Sequence, residues 1–387
     1  DRLCGPNETL ILKKALYGLK QAGYEWYQTI RGVLKELGWT QGKVDPCLFI
    51  RERQNKAEYL ALYVDDILVA ATSRKEIEEI KDELESSFAL KDTGEMKDLL
   101  GMQIQRLGGG KYAISQPKTI RALMSEIPGT DRRSIPMGKV DIEPGETKAP
   151  EGEVKKYQAI IGSLLYLSRK SRPDITYAVC ALARWASNPP DKAIRALHWL
   201  VDHVRYTSDY HLEIRGGDLK LTAWSDASFA ENGDRKSTSG YVIKIGSTAV
   251  VWGSKRQTIV ATSTLEAEYV ALSECARALA WAKMLLEHDL REKAYEPTKV
   301  HCDNMGAIEV ARNPTHHFKS KHIDVKYHHI RDLIESGQIE LSFVSSTSNI
   351  ADVMTKPLNK SAHHNHRVAL GVIKASGGVL EEMPFKG

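Results

Sequence analysis

Four acidic residues interrupt stretches that otherwise read as packed secondary structure, and they constrain the fold more than any other feature of this 387-residue chain. Asp226 lies in the strand-like word AWSDASFA, Glu268 in the helical word STLEAEYVAL, Asp303 in VHCDNMGAI at a strand end, and Asp352 in NIADVMTKPL. An acidic side chain among apolar neighbours is costly unless it is paired or bound to a metal. The separations are 42, 35 and 49 residues, so only tertiary folding brings the four together. Singly, each reads more readily as an N-cap or surface carboxylate; as a set, they point to a cation site. Carboxylates with no accompanying cysteine suit two Mg²⁺ or Mn²⁺ ions rather than zinc. Two such ions activate a water and stabilise the leaving oxygen in an in-line displacement at phosphorus.

The elements carrying these acids follow a recognisable order. Three strand-like runs (Leu219–Phe229, Tyr241–Ile245, Ala249–Trp252) precede a long helix from about Leu265 to Glu287. A strand ending near Cys302, two helical stretches, a strand at Ile339–Val344 and a short helix come next. Antiparallel strands followed by alternating helix and strand predict an α/β layer architecture with a mixed sheet. Along the long helix, Glu268 shares a face with Leu265, Leu272 and Cys275, and Glu266 with Val270, Ser273 and Arg277. The more apolar face packs on the sheet, which turns Glu268 inward.

Upstream, Tyr24–Gly38 reads as an amphipathic helix and Ala57–Ala71 as two strand-like runs meeting at Asp65–Asp66. Ser73 and Glu76 form a capping box ahead of Ile77, Ile80, Leu84 and Phe88 at helical spacing. Gly129–Gly152, rich in Pro, Gly and charge, reads as a linker or long loop, and Val154 to about Arg205 as an all-helical subdomain. Two readings of Tyr157, Tyr166, Trp185 and Trp199 stand there: a base-stacking platform, or core packing, which is favoured.

Asp65–Asp66 is either a solvated turn or a hairpin tip offering carboxylates to a hard divalent ion. The flanking words choose. LYGLKQ (16–21), YVDD (63–66), LGMQI (100–104) and GSLLYLSRKSRPDITYA (162–178), in that order, resemble the reverse transcriptase of copia-type LTR retrotransposons, over about Leu12 to Leu358. RKSTSGY (235–241), STLEAEY (263–269) and KHIDVKYHHIR (321–331) resemble the ribonuclease H that follows it. The resemblance implies a partial polymerase palm over 1–135, a helical thumb and connection over 136–215, a ribonuclease H-like α/β domain over 216–360 and a tail over 361–387. It makes Asp65 and Asp66 metal-binding carboxylates of the palm. Asp226, Glu268, Asp303 and Asp352 become the acidic set that cleaves the RNA strand of an RNA–DNA hybrid. In that family a further essential carboxylate lies upstream of LYGLKQ, in a segment beginning before residue 1, so the polymerase site is expected to be incomplete here. A chain opening on Asp1 reads as one starting inside a longer frame. The tail, with His363, His364 and His366, departs from the family's ending and is expected to be disordered.

Charge matters where it clusters, since the overall balance is only +4. Arg312, Lys319, Lys321, Lys326 and Arg331 face a single Asp324, interspersed with His316, His317, His322, His328 and His329. This stretch reads equally as a phosphate-contacting surface or a solvated helix face. Arg235 and Lys236 are further candidates for phosphate contact, a plain turn being almost as good a reading. The histidine spacings match no zinc motif, and five scattered cysteines without a CxxC support neither a disulfide framework nor a zinc ribbon. With 42% apolar and 27% charged residues, disordered and collagen-like classes are excluded. No signal peptide or membrane span is expected, because the richest apolar run is broken by Asp65 and Asp66. The implied partners are an RNA–DNA hybrid and a primer–template duplex, in a cytoplasmic virus-like particle with room for a nuclear phase; no oligomeric state is indicated. The alternative is a catalytically inactive, nucleic-acid-binding relic of a transposon.

Overall fold

The computed structural model describes residues 15–16, 18–129, 131–145, 148–230, 233–292, 297–313 and 321–375. The chain divides into two compact units, 1–96 with 284–293, and 97–283 with 294–387.

The first unit holds α1 (Ala22–Glu36), β1 (Thr40–Gln41), β2 (Leu48–Arg53), β3 (Lys56–Tyr63), β4 (Asp66–Ala70) and α2 (Arg74–Glu85). Its antiparallel strands lie in the order β1-β2-β3-β4. Alternate residues of β3 (Glu58, Leu60, Leu62) turn inward, as strand periodicity requires. Leu60 and Leu62 share a core with Phe49 of β2, Ile30 and Leu34 of α1, and Ile80 and Leu84 of α2. The Ser73–Glu76 capping box starts α2 as its sequence predicts. Segment 284–293 is pinned by the buried Asp289, whose carboxylate accepts from the backbone N–H groups of Lys43, Val44 and Asp45 at 2.7–3.1 Å.

The second unit begins with β5 (Asp98–Leu99), β6 (Met102–Gly108) and β7 (Lys111–Ser115). Helices α3 (Pro117–Glu126), α4 (Glu151–Lys170), α5 (Thr176–Ala183) and α6 (Asp191–Tyr206) follow. Then come β8 (Tyr210–Arg215), β9 (Leu221–Ser228), β10 (Thr238–Ile245), β11 (Thr248–Arg256), α7 (Thr264–Met284), β12 (Thr298–Cys302), α8 (Met305–Arg312), α9 (Lys321–Glu335), β13 (Ile339–Phe343), α10 (Lys360–Ala369) and β14 (Val372–Lys374). One sheet runs β14-β8-β7-β6-β5 and is antiparallel; the other runs β11-β10-β9-β12-β13. In the latter, β9, β10 and β11 are antiparallel, whereas β12 is parallel to both β9 and β13. This is the mixed sheet that the element order predicts.

The helices α3 to α6 are held by an apolar cluster in which Leu164, Leu167, Ile175, Val179, Leu182 and Leu200 are fully buried. Each such side chain contributes about 1.5–3 kcal/mol of burial free energy. The aromatics serve packing: Tyr157 donates to the carbonyl of Leu182 at 2.9 Å, Trp199 to that of Ile135 at 2.9 Å, and Tyr166 to that of Leu100. Leu100 and Gly101 both take positive φ in the two-residue turn between β5 and β6, so LGMQI and the GSLLYLS word meet.

The RPD portion of that long word forms a buried lock. Arg172 donates to both Asp174 oxygens at 2.8 Å and to the Thr207 hydroxyl at 2.8 Å. Burial alone would raise the Asp174 carboxyl, but the Arg172 guanidinium holds it well below the usual range. His203 and His363 pack against this pair, and burial keeps both pKa values low, that of His363 at about 4.

Two features differ from the sequence reading. The stretch 129–152 is no free linker: the carbonyls of Arg133 and Ile135 bond His203 and Trp199, and Met137 enters the helical core. The division between the units falls instead between Met96 and Lys97, because β5 to β7 join β8 and β14 in one sheet. Nor is the tail disordered where it is described. Asn359 caps α10, His363, His366 and Arg367 are buried, and β14 pairs with β8. Residues 376–387 lie outside the described residues.

Candidate active site

The structure brings the four acids of the second unit together at one end of the mixed sheet. Asp226 stands near the C-terminal end of β9, and Asp303 directly follows the parallel neighbour β12. Carboxyl ends of parallel strands are where α/β sheets place their ligands. Asn304 then caps α8, its side chain accepting from the Ala307 N–H at 2.9 Å. Asp352 sits in the 3₁₀ turn Ile350–Met354. Oxygens of Asp226, Asp303 and Asp352 lie within 4.8 Å of one another.

That turn reaches the sheet because residue 240 is glycine. Gly240 pairs with Asp226 across β10 and β9, and a Cβ there would stand 2.6 Å from Thr355 Cγ2 and 2.7 Å from Met354 Cβ. Asn349 secures the approach, donating to the Ser225 carbonyl at 2.9 Å while capping its own turn. Thr355 donates its hydroxyl to Asp226, and the Lys356 ammonium lies 2.9 Å from Asp352 and 4.0 Å from Asp226.

Glu268 enters from α7, accepting from the Ala227 backbone N–H, and its Oε2 is buried without a hydrogen-bond partner among the described residues. The inward orientation matches the helical-face argument, but one premise fails. Glu266 is buried too, at 7% exposure, with its face companions Val270 and Ser273, and its carboxylate accepts from the Thr262 hydroxyl at 2.6 Å at the start of α7. Sequence reading also missed Cys302, whose sulfur lies within 4.8 Å of Glu268 and Asp303 oxygens, so a cysteine does accompany the acids. Burial, then Glu268, pushes its thiol up to about 12. Its place one residue before Asp303 was the available signal.

The crowding perturbs the acids. Burial, then the Asp352 charge, raises Asp226 to about 7 against the opposing pull of Lys356 and Thr355. Burial, then Asp226 and Asp303, raises Glu268 well above the ordinary range. Burial also raises Asp352, with Lys356 opposing. Four carboxylates with one ammonium among them leave a pocket that favours additional positive charge. An orphaned buried carboxylate oxygen and a set in which four carboxylates outnumber one thiol fit a divalent ion such as Mg²⁺ or Mn²⁺. The other buried Asp and His grouping, Asp174 with His203 and His363, does not fit, since Arg172 already neutralises its one carboxylate.

Asp65 and Asp66 are placed differently. They are exposed at the β3–β4 hairpin, where Tyr63 pairs with Asp66, and among the described residues no further acid, His or Cys forms a ligand-spaced group with them. Val64 takes φ +54° there, a conformation that a β-branched residue rarely adopts and that costs about 1–3 kcal/mol. Trp26 donates to its carbonyl at 2.5 Å.

Of the cationic candidates, Arg235 is exposed with φ +60° and the Lys236 N–H bonds Asp234, both in the β9–β10 connection. Lys319 lies outside the described residues, Lys321 and Lys326 fall on α9, and Arg331 pairs with Glu335 at 2.6 Å.

A family model described as reverse transcriptase (RNA-dependent DNA polymerase) matches residues 4–139. The Pol polyprotein from transposon RE1 of Arabidopsis thaliana is 33% identical over 95% of this chain, and the chain spans only 25% of that relative's length. A putative transposon Ty5-1 protein of Saccharomyces cerevisiae is 31% identical over 70% of this chain and 89% of its own. Among solved structures, a ribonuclease H1 isolated from compost (18% identity, TM-score 0.28) covers 35% of this chain and 93% of its own length. A foamy virus protease-reverse transcriptase (14%, TM-score 0.28) covers 89% of this chain and 39% of its own length. At those TM-scores neither likeness bears on the argument. The sequence relatives do: this chain belongs to the copia-type retrotransposon Pol family.

Proposed function

We propose that the second unit is a ribonuclease H, hydrolysing the RNA strand of an RNA–DNA hybrid at a site of two Mg²⁺ or Mn²⁺ ions. The observation that carries this reading is the convergence of Asp226, Asp303 and Asp352 within 4.8 Å, with Glu268 beside them. These four residues would hold the ions, which when bound supply an activated water and stabilisation of the leaving oxygen. The chain's own part is preorganisation. Thr355 fixes one Asp226 oxygen, and Asn349 and Gly240 fix the turn bearing Asp352. Arg235 and Lys236, together with Lys319, Lys321, Lys326 and Arg331, would contribute phosphate contacts, which carry no sequence preference and suit an enzyme that reads duplex shape.

The first unit is proposed as part of the polymerase palm of the longer polyprotein, with Asp65 and Asp66 contributing metal ligands and a primer–template duplex as its partner. The strained turn at Val64 supports a site there, since such backbone outliers gather at functional positions. A virus-like particle as the setting belongs to the same proposal; among the described residues no helix is long and apolar enough to cross a membrane.

The test is cleavage of a labelled RNA–DNA hybrid by the full chain in Mg²⁺, with EDTA and Asp226→Asn as controls. Cleavage abolished by both supports the reading. Absence of cleavage by the unaltered chain, with hybrid binding retained, would favour a catalytically inactive binding protein.

A further inference from the structure

Lys356 is the one cation that the described structure sets among the four acids. Its ammonium lies 2.9 Å from Asp352 and 4.0 Å from Asp226, while Glu268 Oε2 close by has no hydrogen-bond partner. A single positive charge bridging two carboxylates of a proposed divalent-cation site stands where such a cation is needed electrostatically. We infer that Lys356 is a placeholder: it holds Asp226 and Asp352 in place while the site is empty, and an entering divalent ion displaces it.

Three observations support displacement over permanent residence. The Lys356 side chain is 32% exposed, against 2% for Asp226 and 10% for Asp352, so its end of the pair has a route to solvent that theirs lack. A lysine carries its charge on a flexible four-carbon stem, and leaving costs it little geometry. Its backbone stays anchored meanwhile, the Lys356 N–H donating to the Asp352 carbonyl at 3.3 Å. A divalent ion brings twice the charge to the same carboxylates and satisfies Glu268 as well, so exchange is favourable, yet part of the binding energy goes into expelling the ammonium. The arrangement therefore keeps the empty site folded at the cost of metal affinity.

This inference rests on the metal-site reading above, and the experiment separates the two. Mn²⁺ binding is measured by calorimetry on the full chain and on Lys356→Met, Lys356→Gln and Lys356→Arg, alongside thermal melting in EDTA. Removing a unit charge 3–4 Å from the ligands is expected to tighten Mn²⁺ binding about tenfold in the two neutral variants. The same variants melt several degrees lower in EDTA, because the carboxylates lose their counter-ion, and regain the difference in excess Mn²⁺. Lys356→Arg, which keeps the charge, stays near the unaltered protein. Neutral variants that bind Mn²⁺ equally or more weakly, beside normal binding by the unaltered chain, overturn the placeholder alone. No Mn²⁺ binding by any of the four proteins overturns the metal-site reading and the placeholder with it. Should Lys356→Met fail to fold, Lys356→Gln carries the test.

Discussion

The two groups of acids in this chain behave oppositely. Asp226, Glu268, Asp303 and Asp352 come from four separate elements, three of them nearly buried, and burial, then the neighbouring Asp352 charge, raises Asp226 to about 7. Asp65 and Asp66 are neighbours in sequence and stand exposed on a hairpin turn, with solvent to screen them. Burial is what makes the first group informative. Desolvating carboxylates is expensive, so a fold that does it three times in one place has a compensating charge to accommodate, whereas an exposed pair demands nothing. The strain around the exposed pair is in the backbone instead, at Val64.

The sharpest way to break the contrast is activity. Asp226→Asn should lower hybrid cleavage by more than about 100-fold, beyond what losing a residue that merely orients a ligand costs, while Asp65→Asn leaves cleavage unchanged. Equal losses from both would erase the distinction. Next is metal addition: Mg²⁺ at about 100 times its dissociation constant should stabilise the unaltered protein by about 2.7 kcal/mol. Melting curves should show that gain lost in Asp226→Asn and kept in Asp65→Asn.

Gly240→Ala probes the packing behind the buried group. The added methyl meets Thr355 and Met354, which should cost about 1–3 kcal/mol in denaturant unfolding and weaken Mg²⁺ binding by moving Asp352. The pH dependence sharpens the electrostatic side. Asp226 has a folded-state pKa above its unfolded value, so the folded state binds more protons between pH 3.8 and about 7, and this group's contribution falls as pH rises through that window. In EDTA, melting temperature should decline less steeply with pH across that range in Asp226→Asn than in the unaltered chain. The smallest effect belongs to the exposed turn. Val64→Gly relieves the positive φ but gives the unfolded chain more freedom, for a net change of about 1 kcal/mol or less and no change in cleavage.

Much of this arrangement could be read from the residues themselves. Acids embedded in apolar words, with Glu268 on the apolar face of its helix, point to convergence from the residues alone, and strand and helix periods mark the mixed sheet. What escaped reading depended on contacts distant in sequence. Cys302 looked like an isolated thiol until β12 set it against α7, and Gly240 looked like one more glycine until the Ile350–Met354 turn was packed upon it. Glu266 was misjudged because α7 is buried on both faces there, its face companions Val270 and Ser273 included. The tail and the 129–152 stretch lacked a sustained apolar period, yet single buried residues, His363 and Met137, tie them into the second unit. Composition reports average polarity, and one well-placed anchor outweighs it.

The central claim is that four distant acids form one divalent-cation site. Crystals of the full chain soaked in Mn²⁺ test it most directly through anomalous scattering. The account predicts Mn²⁺ peaks bounded by Asp226, Glu268, Asp303 and Asp352, absent in Asp226→Asn; manganese bound elsewhere with these four side chains unligated, or the four acids found apart, would contradict it.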